Sequence, residues 1–319
     1  MIDNCYWRIF QMKRVISMIV TALLLIALLV LAPSESVFAA VLPIPLDKEK
    51  MDNPNPAFYL SDTEYKDDSL HITIEKGVFE DCNYVVARIQ IADPSQIRTR
   101  MTTADGKQRL NLNWWRSHLN PILAINGDNY GDNFTELGRH IVRQGVLKRH
   151  NISGRQKVFL DALIIDDKGD FHIIRNATET DFDMFEGTII NSFSFGPALI
   201  VDGEVITDYD ADYGKMYAAY KDARRLCIAQ TGPLSYMVVT TEGPEDPGNK
   251  KSLFIDRFAY LVSTLGTVSN AYNLDGGSSA TLMFRGEKIN SVNAKTSRAL
   301  ADMIYFASAY VPEGVPKPD

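Results

Sequence analysis

The sequence predicts an α+β fold: a mixed, mostly antiparallel sheet system with few helices in a single domain. Three observations carry this. Short β-branched or alternating runs recur along most of the chain, turn-type residues separate many of them, and only two stretches hold helical spacing. No internal repeat subdivides the chain.

Taken in order, Lys13 and Arg14 precede an 18-residue apolar run from Val15 to Ala32, after which Ser34, Glu35 and Ser36 lead into Val37-Phe38-Ala39-Ala40. A basic start, an apolar stretch and a small-residue exit are the parts of a secretory signal. The run also reaches the lower limit of a spanning helix. Residues 1–39 are therefore read as a signal peptide or an N-terminal membrane anchor, with Met12 as an alternative start. Both readings put the remainder outside the cytoplasm, secreted or held at the outer face of the membrane. No cysteine follows the run to take a lipid.

Residues 40–69 hold Pro43, Pro45, Pro54 and Pro56 among Asp and Asn, and read as a linker or an arm wrapped on the domain. The domain itself is expected over 70–319. Leu70 to Glu75 alternates as a half-buried strand, and Tyr84 to Ile91 is a second β run. Gln108 to Leu119 is expected as a helix ended by Asn120-Pro121, and Pro121 to Ile125 as a buried strand emptying into Asn126-Gly127-Asp128. Val158–Ile165 with Phe171–Ile174, Ala198–Val201 with Glu204–Ile206, and Leu226–Ala229 with Tyr236–Thr240 read as hairpins. Asp202-Gly203 is the strongest local turn signal among them. Phe254, Phe258, Leu261, Val262 and Leu265 give a second helix, stopped at Gly266. Ser269–Leu274, Thr281–Arg285 and Met303–Val311 complete the strands.

The 319 residues carry 33 Lys+Arg against 40 Asp+Glu, a net charge of -7. That balance argues against a nucleic-acid partner, which needs a concentrated basic face. Three cysteines are too few for a disulfide scaffold. Cys5 lies in the leader. Cys82 and Cys227 either pair in an oxidising compartment or remain small buried side chains, and the unpaired reading is preferred.

Two segments share a design in which an apolar strand ends in a Gly-containing turn bearing an Asp: Asn126-Gly127-Asp128 and Asp275-Gly276-Gly277-Ser278-Ser279. Glycine lets the backbone approach a ligand, and successive N–H groups can form an anion nest. Asp202-Gly203 by contrast reads as a plain turn. Arg224-Arg225 and Arg298 precede strands and supply guanidinium groups suited to phosphate. A serine hydrolase through Ser278 fits poorly, since no histidine follows it. The histidines lack zinc-ligand spacing, and neither a P-loop nor a dinucleotide fingerprint occurs. Hard oxygen ligands are plentiful enough to admit a calcium ion, without EF-hand spacing.

The ordered set Ile125-Asn126-Gly127, Ser194-Phe195-Gly196-Pro197-Ala198 through Asp202-Gly203, Ala223-Arg224-Arg225, Leu274-Asp275-Gly276-Gly277-Ser278-Ser279 and Ser297-Arg298-Ala299 resembles the phosphodiester glycosidase domain, the family of the lysosomal uncovering enzyme and of bacterial exopolysaccharide-related secreted proteins. The family commonly has Asn-Gly-Gly where this chain has Asn126-Gly127-Asp128, and Ala-Arg-Thr where it has Ala223-Arg224-Arg225. The resemblance implies hydrolysis of a sugar-1-phosphodiester, such as an N-acetylglucosamine-1-phosphodiester or a cell-envelope glycan. The sequence itself requires no cofactor and leaves a calcium ion open, and the membrane is expected to be touched only through the N-terminal segment.

Phosphate is a weakly basic leaving group, so the chemistry needs chiefly an anion clamp and a carboxylate facing the sugar carbon or its attacking water. On that basis Asp275 is the expected carboxylate and Asp128 its partner. Arg224 and Arg298 hold phosphate with the N–H groups of Gly276, Gly277 and Ser278, while Asn126, Gly127 and Ser279 position substrate. The rival reading is a non-catalytic module that binds anionic cell-wall or exopolysaccharide glycans.

Overall fold

Strand alternation decides the layering. In the Leu123–Asn126 strand, Leu123 and Ile125 face one core while Ala124 faces another. Ile304 and Phe306 likewise oppose Met303 and Tyr305 in Asp302–Phe306. Both faces of these strands are therefore covered, which explains why they read as unbroken apolar runs.

The computed structural model describes residues 40–103, 106–128, 139–151, 160–209, 223–244, 246–290 and 298–313. The leader at 1–39 lies outside them. No helix among the described residues is long and apolar enough to cross a membrane. Residues 40–311 make one compact unit.

Its largest sheet runs in the order Glu204–Val205, Ala198–Val201, Asn270–Leu274, Leu226–Gly232, Ser235–Thr241, Cys82–Ile91, Leu70–Phe79, Glu64–Lys66, Tyr59–Ser61. A second has Glu287–Lys288, Leu282–Phe284, Leu123–Asn126, Asp302–Phe306 and Ile97–Met101. A third has Phe171–Ala177, Leu160–Asp166, Ile189–Phe193, Arg139–Arg143 and Val146–Asn151. Ala40–Val41 pairs with Tyr310–Val311. Every pairing among the described residues is antiparallel. With three α-helices beside these sheets among the described residues, the class is α+β.

One core, including Ile72, Ile89, Ile125, Leu163, Phe193, Ile228, Leu282 and Phe306, joins the three large sheets. On the other face of the largest sheet, Phe258, Leu261 and Val262 of the Ile255–Thr264 helix cover Val86, Cys227, Met237 and Val239. Trp115 and Leu119 of the Leu112–Leu119 helix cover the outer face of the second sheet together with Ile44 and Met51. Cys82 and Cys227 are free and buried. Burial pushes their thiols up to about 11 and about 12, as expected of packing residues rather than nucleophiles.

Several elements differ from expectation for identifiable reasons. The first helix begins at Leu112 rather than Gln108, because the Asn111 side chain accepts the Trp114 N–H and caps it there. Strands begin before Leu70, since Tyr59–Ser61 and Glu64–Lys66 extend the largest sheet and Tyr65 is 1% exposed. The expected Met303–Val311 strand is two pieces, Asp302–Phe306 and Tyr310–Val311. The hairpin at Asp202-Gly203 has the predicted two-residue turn, with both residues at positive φ and Val201 paired with Glu204.

Candidate active site

The chain leaves the largest sheet at Leu274 and enters the second at Leu282, where Leu282 pairs with Ile125. The Asp275-Gly276-Gly277-Ser278-Ser279 turn is thus the seam between two packed sheets. Asn126, 2% exposed, closes it: Nδ2 donates to the Asp275 carbonyl at 2.8 Å, and Oδ1 accepts the Thr281 N–H at 2.9 Å. Its amide is spent on joining the two predicted turns, so it positions them rather than reaching out to substrate.

Glycine is needed beneath the turn. A Cβ on Gly276 would overlap the Arg224 carbonyl, which also accepts the Gly277 N–H at 2.9 Å. Backbone cannot yield as a side-chain tip can. Gly276→Ala should therefore cost about 1–3 kcal/mol of stability, read from denaturant unfolding. An unchanged midpoint would show that the turn is loosely seated.

Gly127 lies equally close to Asp302, whose carboxylate a Cβ would overlap. Asp302 is 2% exposed and pairs with Arg143 through Oδ1 to Nε at 3.1 Å and Oδ2 to Nη2 at 2.7 Å. The same Nη2 reaches Asp128 Oδ2 at 3.4 Å, and that oxygen also accepts the Ser194 N–H at 3.2 Å. The Arg143 guanidinium stacks over Phe193, 4.2 Å from the ring centroid. One buried cation thus serves two buried carboxylates beside the turn.

Asp275 lines a cleft with Arg109, Asn126, Asp128, Ser279, Arg298 and Asp302. Burial pushes its carboxyl up to about 6, and the charge of Asp128 adds to this. The Ser279 hydroxyl, Arg298 and the Gly276 N–H act in the opposite direction, favouring the ionised form. Arg298 is exposed, and its backbone N–H donates to the Ser278 carbonyl at 3.1 Å. The cavity measures about 20 Å³, room for a single water. Among the described residues no three His, Cys, Asp or Glu side chains are arranged to hold a metal ion.

Residues 120–307 match the sequence model of the phosphodiester glycosidase family. The chain belongs to that family. It is accordingly an enzyme of the hydrolase class. The catalytic domain of zebrafish N-acetylglucosamine-1-phosphodiester alpha-N-acetylglucosaminidase, auto-inhibited by its pro-peptide, shares the fold with a TM-score of 0.57 at 16% identity, over 81% of this chain and 87% of that one. A hypothetical protein from Synechocystis aligns with a TM-score of 0.51 at 13% identity, over 74% of this chain and 62% of that one. No curated protein matches the sequence.

In this phosphodiester glycosidase the structure brings Asn126, Gly127, Asp128, Asp275, Ser279 and Arg298 together, as the two-turn reading expected. Arg224 departs from its expected phosphate contact. Its guanidinium is 2% exposed and grips Asp246, Nε to Oδ2 at 2.6 Å and Nη2 to Oδ1 at 2.8 Å, so it supports the turn from behind. The expected anion nest is also partly committed inward, with Gly277 bonded to Arg224 and Gly276 to the Asp275 carboxylate. Sequence reasoning missed Arg109, Arg143, Asp246 and Asp302. For Asp302 one signal existed: it opens an apolar strand four residues after Arg298.

Proposed function

We propose that this glycosidase is an extracytoplasmic hydrolase that splits the sugar–phosphate bond of a sugar-1-phosphodiester, of the N-acetylglucosamine type or within a cell-envelope glycan. The observation that carries the reading is a carboxyl raised to about 6 beside an exposed guanidinium in one cleft. A group titrating near neutrality is suited to general-base work. Asp275 takes the proton from the water that attacks the anomeric carbon. The sugar–oxygen bond breaks, and the phosphate departs as an anion that needs no proton.

Arg298 meets the charge that develops on the departing phosphate. Ser279 and the Gly276 N–H hold the Asp275 carboxylate in line, and Asp128 sustains its raised basicity. The chemistry comes from the chain's own side chains. The signal-like segment at 1–39 supports an outside location, with membrane contact only there. The acidic overall charge supports a glycan rather than a nucleic-acid partner.

Arg298→Ala should raise KM for phosphodiesters by about tenfold or more, while leaving a neutral aryl glycoside of the same sugar unaffected, because the guanidinium reads the anion. Sugar release from a panel of sugar-1-phosphodiesters, UDP-N-acetylglucosamine included, measures both. Saturable binding of the panel without any release would overturn the hydrolytic reading in favour of a binding module.

A further inference from the structure

A second concavity shares no lining residue with the Asp275 cleft but adjoins it through Arg143, which holds Asp128 and Asp302. It measures about 460 Å³ and runs between the arm at 46–49, the Ile97–Met101 strand with the residues after it, and the turn joining Arg139–Arg143 to Val146–Asn151. That volume falls within the range of small-molecule sites and far exceeds the space beside Asp275.

Its charge runs against that of the chain. Five basic and two acidic side chains line it, in a protein of net charge -7. Arg143 is committed to Asp302 and Asp128, and Arg100 to Glu49. Arg98 is not neutralised in that way. It is fully buried, and its Nη groups donate to carbonyls, Ser95 at 3.1 Å, Pro45 at 2.8 Å and Lys48 at 2.8 Å among them, with the Tyr305 side chain as a further partner. Lys148 is exposed and has no ion-pair partner among the described residues.

The donor inventory points the same way. Gln144 lines the groove, its Oε1 accepts the Thr99 N–H at 3.0 Å, and its buried Nε2 has no acceptor among the described residues. A buried donor without an acceptor costs stability, and a ligand oxygen would relieve it. Leu46 and Val146 add exposed apolar surface at the rim, 44% and 53% exposed. Cations, an amide donor and apolar edges together match the anionic group, hydroxyls and ring face of an acidic sugar.

We propose that this groove is a second binding site, for a sugar bearing a carboxylate or a phosphate. The site stands on its own residues and does not depend on the chemistry assigned to Asp275.

Calorimetric titration of the full chain with digalacturonate, glucose 6-phosphate and cellobiose tests it. At least one acidic sugar should bind saturably, with cellobiose about tenfold weaker or worse, and affinity should fall as salt is raised. Lys148→Glu should weaken the acidic ligand about fivefold or more, and Lys148→Met by less, in step with the charge removed. Asp275→Asn should leave this binding unchanged. The arm that binds tells carboxylate from phosphate. Failure of both acidic sugars to bind, equal binding of cellobiose, indifference to Lys148→Glu, or loss of binding in Asp275→Asn would each overturn the proposal.

Discussion

Asp275→Asn is expected to lower kcat by about a thousandfold while making the protein more stable at neutral pH. Both effects have one cause. Burial raises the carboxyl from 3.8 to about 6, so the folded protein holds this proton more tightly than the unfolded chain does. Below about pH 4 the group is protonated in both states and costs nothing. Between about pH 4 and 6 the unfolded chain ionises first and the folded state loses ground, by roughly 2–3 kcal/mol once both have ionised.

Asn cannot ionise and escapes that loss, yet its side-chain oxygen can still accept from Ser279 and Gly276. The melting temperatures of wild type and variant should coincide near pH 3.5 and diverge up to about pH 6 in the variant's favour. Wild-type activity should rise through the same interval as the base loses its proton. A variant no more stable than wild type at pH 7.5 would mean that the carboxylate is better solvated than its burial indicates. Retained turnover would remove Asp275 from the chemistry.

Arg143→Met should produce the largest loss of stability. The guanidinium is the shared partner of Asp302 and Asp128, all three nearly inaccessible to solvent. Its removal leaves two buried carboxylates facing each other across an apolar side chain. Breaking a buried pair from one side costs about 3–5 kcal/mol, which is a large part of the stability of a typical domain. Arg143→Lys should fall between, keeping the charge but losing the fork that reaches both Asp302 oxygens.

Arg143→Met combined with Asp302→Leu should recover part of the loss, because the uncompensated charge goes with its partner. Urea unfolding of the three variants measures this. A single variant within about 1 kcal/mol of wild type would show that water reaches the cluster.

The parts of the fold legible in the sequence were those whose neighbours are apolar. Leu70–Phe79, Leu226–Gly232, Asn270–Leu274 and the Ile255–Thr264 helix all stand where periodicity put them. Three of the strands that escaped notice carry buried polar groups. Arg98 and Thr99 interrupt Ile97–Met101, Arg143 ends Arg139–Arg143, and Asn191 and Ser192 interrupt Ile189–Phe193. Each has partners distant in sequence, such as the arm carbonyls for Arg98, and a linear pattern does not display those.

The site divides the same way. Two Asp-bearing glycine turns were visible as local chemistry, and they do meet. The ion pairs that determine which arginine faces inward depend on Asp246 and Asp302, each remote in sequence from at least one of the groups it holds. That is why Arg224 read as a ligand group and Arg143 was not noticed.

The seam on which Asp275 sits also bears on motion. Turns at the rim of a domain usually open on their own, at little free-energy cost, and lend an active site its breathing. This turn is bonded through Gly277 to the strand-entry residue Arg224 on one side, and through Asn126 and Thr281 to the second sheet on the other. It can open only if the sheets part, so its opening is tied to global unfolding. The Asp275 carboxylate is thus held in a part of the molecule with the dynamics of a core, and the proposed turnover has no loop closure at this turn to wait for.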